Sequence, residues 1–182
     1  FIRSSMGVLA PELAMDLALP PEMLGAIASA FFLSYALMQI PTGLMLDRFG
    51  PRIIMSGLFL LTVVGTLLFA LSPSGTAMLI ARILMGIGCA GVFPGAFLVI
   101  ARFYPPARFT PIGATLNGFA MLGTFLATVP LAYLVTIIGW RDSFLWIGIF
   151  MALVAVLAVV AVRDQPAGVD AKAQRERQES VR

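Results

Sequence analysis

Six long apolar runs follow one another in this chain, and each is long enough, or nearly so, to cross a lipid bilayer as a helix. A membrane-spanning helix needs about 20 mostly apolar residues, because hydrocarbon offers no partner for unpaired backbone groups. The runs cover residues 1 to 17, 22 to 46, 51 to 71, 76 to 103, 111 to 138 and 140 to 162. The sequence therefore predicts an all-α integral membrane protein with six transmembrane helices.

The first of these runs is short. Its 17 residues correspond to a helix of about 25 Å, whereas the hydrocarbon core of a bilayer is about 30 Å thick. The chain also begins at Phe1 and not at an initiator Met. We therefore expect a fragment that begins inside its first span.

Composition disfavours an enzyme and a soluble domain. Hydrophobic residues make up 60% of the chain and charged residues 12%, whereas a soluble domain has about 45–50% and about 25%. The chain has no His and one Cys, Cys89, so it lacks the usual residues of a catalytic base or a zinc site. We expect no cofactor and no metal. The net charge of +3 comes without a dense basic stripe, so nucleic acid is not an expected partner.

The positions of the cations predict an orientation. Arg141 and the acids Glu12, Asp16, Glu22 and Asp142 occupy the loops of one side. The other side carries nine cations, which are Arg48, Arg52, Arg102, Arg108, Arg163, Lys172, Arg175, Arg177 and Arg182. By the positive-inside rule, that side and both termini lie in the cytoplasm of a cell that holds the protein in its inner or plasma membrane. Residues 1–162 are assigned to the bundle and residues 163–182 to a polar cytoplasmic linker.

The loop after the second span contains the sharpest local pattern. Gly43 permits close approach of a second helix, and Gly50 permits the chain to reverse. Asp47 is an acid at the membrane boundary, flanked by Arg48 and Arg52. Its contacts with cations or with a helix N-terminus break when helices slide, which suits a gate. The alternative is an ordinary cytoplasmic turn that contains an Asp.

The same five residues resemble the loop signature of the major facilitator superfamily, although Ile53 stands where that family often has a second cation. On the fourth span, Arg82 with Gly86 and Gly88 resembles a second family signature, and the resemblance covers residues 1–162. It implies the N-terminal half of a twelve-helix transporter, with its six helices arranged as a 3+3 inverted repeat. It also implies a second six-helix half as partner, in the same chain downstream or in a second subunit.

Two cations, Arg3 and Arg82, lie at membrane depth, where an unpaired Arg costs at least about 2.5–3.5 kcal/mol. The family resemblance directs the first and fourth helices toward a central cavity. Two guanidinium groups there suit a carboxylate or a similar anion. The alternatives are that Arg3 lies near the cytoplasmic surface and that Arg82 is a structural or proton-relay residue.

Three uncharged polar residues at depth are further candidates for substrate binding. Tyr35 and Gln39 are four residues apart on the second span, so they share one helix face. Asn117 lies on the fifth span. Each is expected either to line the cavity or to hydrogen-bond between helices.

Residues 86 to 91 spell the G-x-G-x-x-G pattern of dinucleotide-binding proteins. The pattern lies inside an apolar run, without a preceding strand or a following acid, so a nucleotide site is disfavoured. We interpret these glycines as a surface for close helix packing. Pro94, next to Phe93, is expected to kink the span.

The favoured function is secondary transport of a small organic anion by alternating access, with the lipid bilayer as surroundings. No Asp or Glu lies well inside a span, so a symporter would need its coupling acid in the second half; otherwise the protein is an exchanger or a uniporter. One alternative is an exporter of drug-like amphiphiles, which the absence of a Gly-Pro pair in the fifth span disfavours. The other is a non-transporting half-size membrane scaffold, which has no need of two deep arginines.

Overall fold

The computed structural model describes residues 1–161 as a bundle of helices, and these residues contain no β-strand. The helices are α1 (Met6–Asp16), α2 (Pro21–Phe49), α3 (Pro51–Ala70), α4 (Gly75–Cys89), α5 (Val92–Phe103), α6 (Pro106–Leu126) and α7 (Val129–Ala161). The helices α4 and α5 form one rod, Gly139 divides α7, and α6 is followed by the first part of α7 after a break at Ala127 and Thr128. With α6 and that first part counted together, the described residues make six successive rods. The all-α fold with six helical rods is confirmed, and the predicted linker at 163–182 lies outside the described residues.

Prolines and one glycine explain where several helices begin. Pro21, Pro51 and Pro106 lie in the first turn of their helices, where the missing N–H costs no hydrogen bond. Between α2 and α3, Gly50 adopts φ 83°, a conformation that a residue with a side chain rarely takes. This confirms the predicted chain reversal. The fifth span begins at Pro106, earlier than the predicted start at Pro111.

Two spans break one turn before a proline. Pro94 has no N–H for the carbonyl of Ala90, and its ring clashes with that carbonyl, so α4 and α5 separate at Ala90 and Gly91. The expected kink is therefore present, but one turn earlier than Pro94 itself. In the same way, Pro130 has no N–H to donate to the carbonyl of Leu126, and α6 ends at Leu126. The predicted fifth span, residues 111 to 138, is therefore divided between α6 and the first part of α7.

The glycines of α4 bring that helix into backbone contact with α2 and α3. A Cβ atom at Gly86 would overlap the hydroxyl of Ser34 on α2. A Cβ at Gly88 would lie 2.5 Å from the Leu58 carbonyl oxygen and 2.6 Å from the Thr62 nitrogen, both on α3. The packing interpretation of this segment is confirmed, and it places α4 between two neighbours.

Five helices build the main apolar core, and α4 is the central one. It buries side chains from α1, α2, α3, α4 and both parts of α7, among them Leu9, Leu13, Ile27, Phe31, Phe69, Met78, Met85, Leu131 and Phe144. A smaller cluster of Leu46, Ile54 and Leu58 holds the opposite end of α2 against α3. The core therefore surrounds the segment of α4 that carries Arg82.

Large apolar side chains also cover the outside of the bundle. On α2, Leu37, Ile40 and Leu44 are 69%, 79% and 68% exposed, as suits contact with lipid or a second apolar body. By length and composition, four described helical segments could cross a membrane: Pro21–Phe49, Pro51–Ala70, Gly75–Phe103 and Val129–Leu157. The first rod, α1, has 11 helical residues and is shorter than a span.

The contact between α3 and α4 predicts the effect of Gly88→Ala. The added methyl group must displace the backbone of α3, and overpacking of this kind costs about 1–3 kcal/mol. We expect thermal unfolding of the intact protein in detergent to shift down by about 2 °C or more, since about 2–4 °C corresponds to 1 kcal/mol at this size.

Gly57→Ala is the matched control, because a Cβ at Gly57 in the middle of α3 meets open space. Alanine also favours the helix by up to about 1 kcal/mol, so this variant is expected to melt at or above the wild-type temperature. Equal melting temperatures for the two variants would contradict the close contact between α3 and α4.

Candidate functional site

Arg82 is a charged side chain inside the apolar core. It is 1% exposed, and its Nη1 donates a hydrogen bond of 3.0 Å to the carbonyl oxygen of Ile2. Its guanidinium carbon lies 5.2 Å from the ring centroid of Phe69 and 5.9 Å from that of Phe31. The start of the chain, α2 and α3 thus enclose this cation.

The hydrogen bonding of Arg82 is incomplete. Among the described residues, Nε and Nη2 have no partner although both atoms are buried, and no carboxylate forms an ion pair with the group. The two aromatic faces contribute about 0.5–2 kcal/mol each, whereas a buried donor without a partner costs about 1–3 kcal/mol. Arg82 is therefore a strained cation with two donors available to an anion.

The second deep cation, Arg3, lies in the turn that precedes α1 and is exposed. It follows Ile2 directly, and the Ile2 carbonyl accepts the hydrogen bond from Arg82. The structure therefore brings the two cations into one region, with Arg82 inside the bundle and Arg3 on its surface. We call Arg3, Arg82 and the backbone of Ile2 the Arg82 region.

Tyr35 and Gln39 are half-buried on α2. The Tyr35 ring stacks on that of Phe31, with centroids 6.1 Å apart and an interplanar angle of 13°. Since Phe31 also contacts Arg82, Tyr35 joins the Arg82 region through one aromatic ring. Gln39 lies one turn further along the same face.

Asn117 is exposed on α6, and the structure does not bring it into contact with Arg82. A Cβ atom at Gly123, further along the same helix, would lie 3.5 Å from the Phe1 nitrogen. Asn117 lies six residues before Gly123, which corresponds to about 9 Å along the helix. The helix α6 therefore approaches the start of the chain at Gly123, whereas Asn117 lies outside the Arg82 region.

The loop motif forms a compact turn at the opposite end of α2. Asp47 and Arg48 occupy its last turn, Arg52 lies in the first turn of α3, and all three side chains are exposed. The Arg48 guanidinium lies 5.4 Å from the Phe49 ring. A Cβ at Gly43 meets no atom within 4 Å in the described part of the chain, so the close helix contact expected at that residue is not present there.

A second polar cluster, which the sequence reasoning missed as a unit, lies where α1 and α3 end. The Asp16 carboxylate accepts hydrogen bonds from Trp140 Nε1 at 3.1 Å and from Arg141 Nη2 at 3.5 Å. Arg141 Nη1 also donates to the carbonyl oxygens of Ser72 at 2.8 Å and Ala70 at 3.4 Å. We call Asp16, Trp140 and Arg141 the Asp16–Arg141 cluster.

The sequence used these three residues only to assign an orientation. Asp16 and Arg141 are 125 residues apart, and no local periodicity relates them. A signal was nevertheless available, because Arg141 is the single cation predicted for a side that carries several acids. Opposite charges confined to one end of a bundle tend to meet.

Comparison with known proteins gives a consistent assignment. Residues 1–182 match the family model described as Major Facilitator Superfamily. A probable sulfoacetate transporter of Cupriavidus necator is 30% identical over 164 residues, which cover 90% of this chain and 38% of that protein. A probable galactarate/D-glucarate transporter of Escherichia coli is 28% identical over 178 residues, which cover 93% of this chain and 40% of that protein.

Solved structures agree. A bacterial homologue of the human lysosomal transporter Spinster, in an inward-facing and unoccupied conformation, has a TM-score of 0.72 and 27% identity over 92% of this chain and 40% of that one. A D-xylose-proton symporter has a TM-score of 0.74 over 100% of this chain and 49% of that one, and its 18% identity shows the fold alone. This chain thus spans less than half the length of these proteins.

The incomplete pairing of Arg82 predicts an unusual result for Arg82→Met. Replacing a buried ion pair by apolar side chains of similar volume is often neutral or stabilising by about 1–4 kcal/mol, and in the described part of the chain Arg82 has no carboxylate partner that its replacement would leave unpaired. We expect the detergent melting temperature of the intact protein to stay level or rise by a few degrees, because the Ile2 carbonyl keeps its bond from the Ser5 hydroxyl.

Arg141→Met is the matched control. Its guanidinium bonds Asp16 and the Ala70 and Ser72 carbonyls, so its loss leaves acceptors without their donor and is expected to lower the melting temperature. A fall for Arg82→Met as large as that for Arg141→Met would show that Arg82 is a net stabilising residue.

Proposed function

The chain belongs to the Major Facilitator Superfamily, and from this membership we propose that it forms the N-terminal six-helix half of a secondary transporter for a small organic anion. In such a transporter two helix bundles rock about a site near the membrane midplane, which alternately faces either side. The second half, downstream in the same chain or in another subunit, completes the cavity.

One observation carries the choice of an anion. Arg82 is a buried cation with two unpartnered N–H groups and no ion pair among the described residues, and Arg3 adds a second, exposed cation beside it. A planar guanidinium donates two parallel hydrogen bonds to a carboxylate. The names of the relatives, which include a probable sulfoacetate transporter and a probable galactarate/D-glucarate transporter, support a carboxylate substrate.

In this proposal Arg3 meets the anion first, since its side chain is exposed, and Arg82 binds it at depth. Arg82 is enclosed in the present arrangement, so the start of α1 must shift away from α4 before an anion reaches Nε and Nη2. Tyr35 and Gln39 line the approach along α2, and Asn117 lines it along α6.

The loop that contains Gly43, Asp47, Arg48, Gly50 and Arg52 serves as the gate. Gly50 and Pro51 form the short turn between α2 and α3. The exposed acid and cations offer contacts to the second half that form in one end state and break in the other. The positive-inside rule supports a cytoplasmic position for this loop and for both termini in a cell membrane.

The transport proposal predicts loss of anion uptake in two variants. The full-length protein in proteoliposomes is expected to take up at least one of radiolabelled sulfoacetate, D-glucarate or L-galactonate. Arg82→Met and Arg3→Gln are each expected to reduce uptake at limiting substrate about tenfold or more, equivalent to at least about 1.4 kcal/mol of binding.

Arg108→Gln is the matched control, because Arg108 is an exposed cation at the start of α6, away from the Arg82 region. It should transport at the wild-type rate. Uptake at the wild-type rate by both Arg82→Met and Arg3→Gln for every active anion would refute the assignment of these residues.

The gate proposal predicts a different kinetic effect for Asp47→Asn. The side chain keeps its size but loses its charge, so contacts that stabilise one end state weaken while the substrate site is untouched. We expect the maximal rate to fall about tenfold, or about 1.4 kcal/mol, with KM changed less than twofold. Asp142→Asn, which makes the same change at the other end of the bundle, should leave both constants near wild type; equal effects of the two variants would contradict the gate.

A further inference from the structure

Polar contacts tie α1 to the bundle at both ends. At its end, Asp16 contacts Trp140 and Arg141 of α7; before its start, the Ile2 carbonyl accepts a hydrogen bond from Arg82 of α4. We propose that Asp16, Trp140 and Arg141 are positioning residues, which hold the end of α1 and thereby set where Arg3 lies relative to Arg82. This inference rests on the proposed role of Arg3 and Arg82 in anion binding.

The body of α1 packs against the core through one apolar face. It has 11 helical residues, of which Met6, Leu9 and Leu13 are buried. Pro11 lies inside the helix and leaves the carbonyl of Gly7 without its helical donor. The three buried side chains define which face of α1 meets the core, and the polar contacts at Asp16 and Ile2 add to what holds its angle.

The end at Asp16 is the firmer one, because its partners are themselves held. Arg141 donates to two carbonyl oxygens at the end of α3, the nearer at 2.8 Å, and its guanidinium lies 4.3 Å from the Trp140 ring centroid. The Trp140 ring is 5% exposed and packs edge-on against Phe69, with centroids 6.0 Å apart. Asp16 therefore binds a rigid frame built from α3 and α7.

A helix held at one end converts a small tilt into a large displacement at the other. Arg3 and Asp16 are 13 positions apart in the chain, which corresponds to about 20 Å of helix, so a tilt of about 10° moves the far end by about 3 Å. A shift of that size breaks the bond of 3.0 Å between Arg82 and Ile2 and opens a path to Nε and Nη2. The Asp16–Arg141 cluster thus acts on the Arg82 region from the opposite end of α1.

The test measures the exposure of position 3 directly and needs no substrate. In the full-length protein with Cys89→Ser, a cysteine is introduced by Arg3→Cys and its labelling rate with a water-soluble maleimide is recorded in detergent. Asp16→Ala and Trp140→Phe, which remove the acceptor and the donor of the bond of 3.1 Å, are expected to change this rate at least threefold. Asp16→Asn keeps an acceptor oxygen for Trp140 and should restore most of the parent rate.

Two controls separate positioning from general loosening. Ile53→Cys reports on the exposed start of α3, remote from α1, and its labelling rate should be the same in all backgrounds. Asp142→Asn changes a neighbouring acid and should leave position 3 unaffected. A rate at position 3 within twofold of the parent in Asp16→Ala, or an equal change at positions 3 and 53, would overturn the inference.

Transport kinetics give an independent readout and separate this inference from the proposed function. With the radiolabelled anion that the wild-type protein takes up, Asp16→Ala should raise KM at least fivefold and alter the maximal rate less, and Asp16→Asn should again recover. If no anion is transported but labelling at position 3 responds as described, positioning of α1 stands and the anion assignment fails. An unchanged KM with an unchanged labelling rate would reject positioning alone.

Discussion

Backbone contact between α4 and its two neighbours is the constraint on which the rest of this bundle depends. Gly86 and Gly88 face different helices, so α4 is inserted between α2 and α3 at a distance that no side chain allows. Arg82 lies four residues before Gly86 and therefore on the same face, and both residues meet Phe31. The close contact that builds the core thus also carries a cation into it.

The contacts of Arg82 satisfy only part of its hydrogen-bonding capacity. Arg82 is surrounded by apolar side chains, two aromatic faces and one backbone carbonyl, so two of its donor groups have no partner among the described residues. An apolar side chain of similar volume would fill the same space without unpaired donors. Natural proteins accept such local costs where function needs them. A deep arginine with spare donors is therefore best understood through what it binds.

The sequence was informative wherever the physical cause is local. Long apolar runs predicted the rods, because the bilayer requirement acts on each run separately, and Gly50 with Pro51 predicted a turn from backbone chemistry alone. The breaks before Pro94 and Pro130 also follow from backbone chemistry. Their positions can be predicted only when the affected carbonyl is placed four residues before the proline. The sequence predicted both Arg3 and Arg82 at membrane depth. The position of a residue along a helix does not show whether neighbouring helices cover its side chain, so the sequence could not predict that Arg82 is buried and Arg3 exposed. The Asp16–Arg141 cluster joins distant segments, so only the folded chain brings it together.

The two ends of α1 differ in a way that bears on how the bundle opens. At Asp16 the helix is held by two donors on a packed tryptophan and on an arginine that is itself bonded to α3. At Ile2 it is held by one nitrogen of a cation whose other two groups lack partners. Separation at Ile2 breaks one bond from Arg82 and lets water or an anion satisfy three nitrogen groups at once. Separation at Asp16 takes the acceptor away from the buried indole of Trp140. The Arg82 end of α1 is therefore the end where an anion gains most by entering.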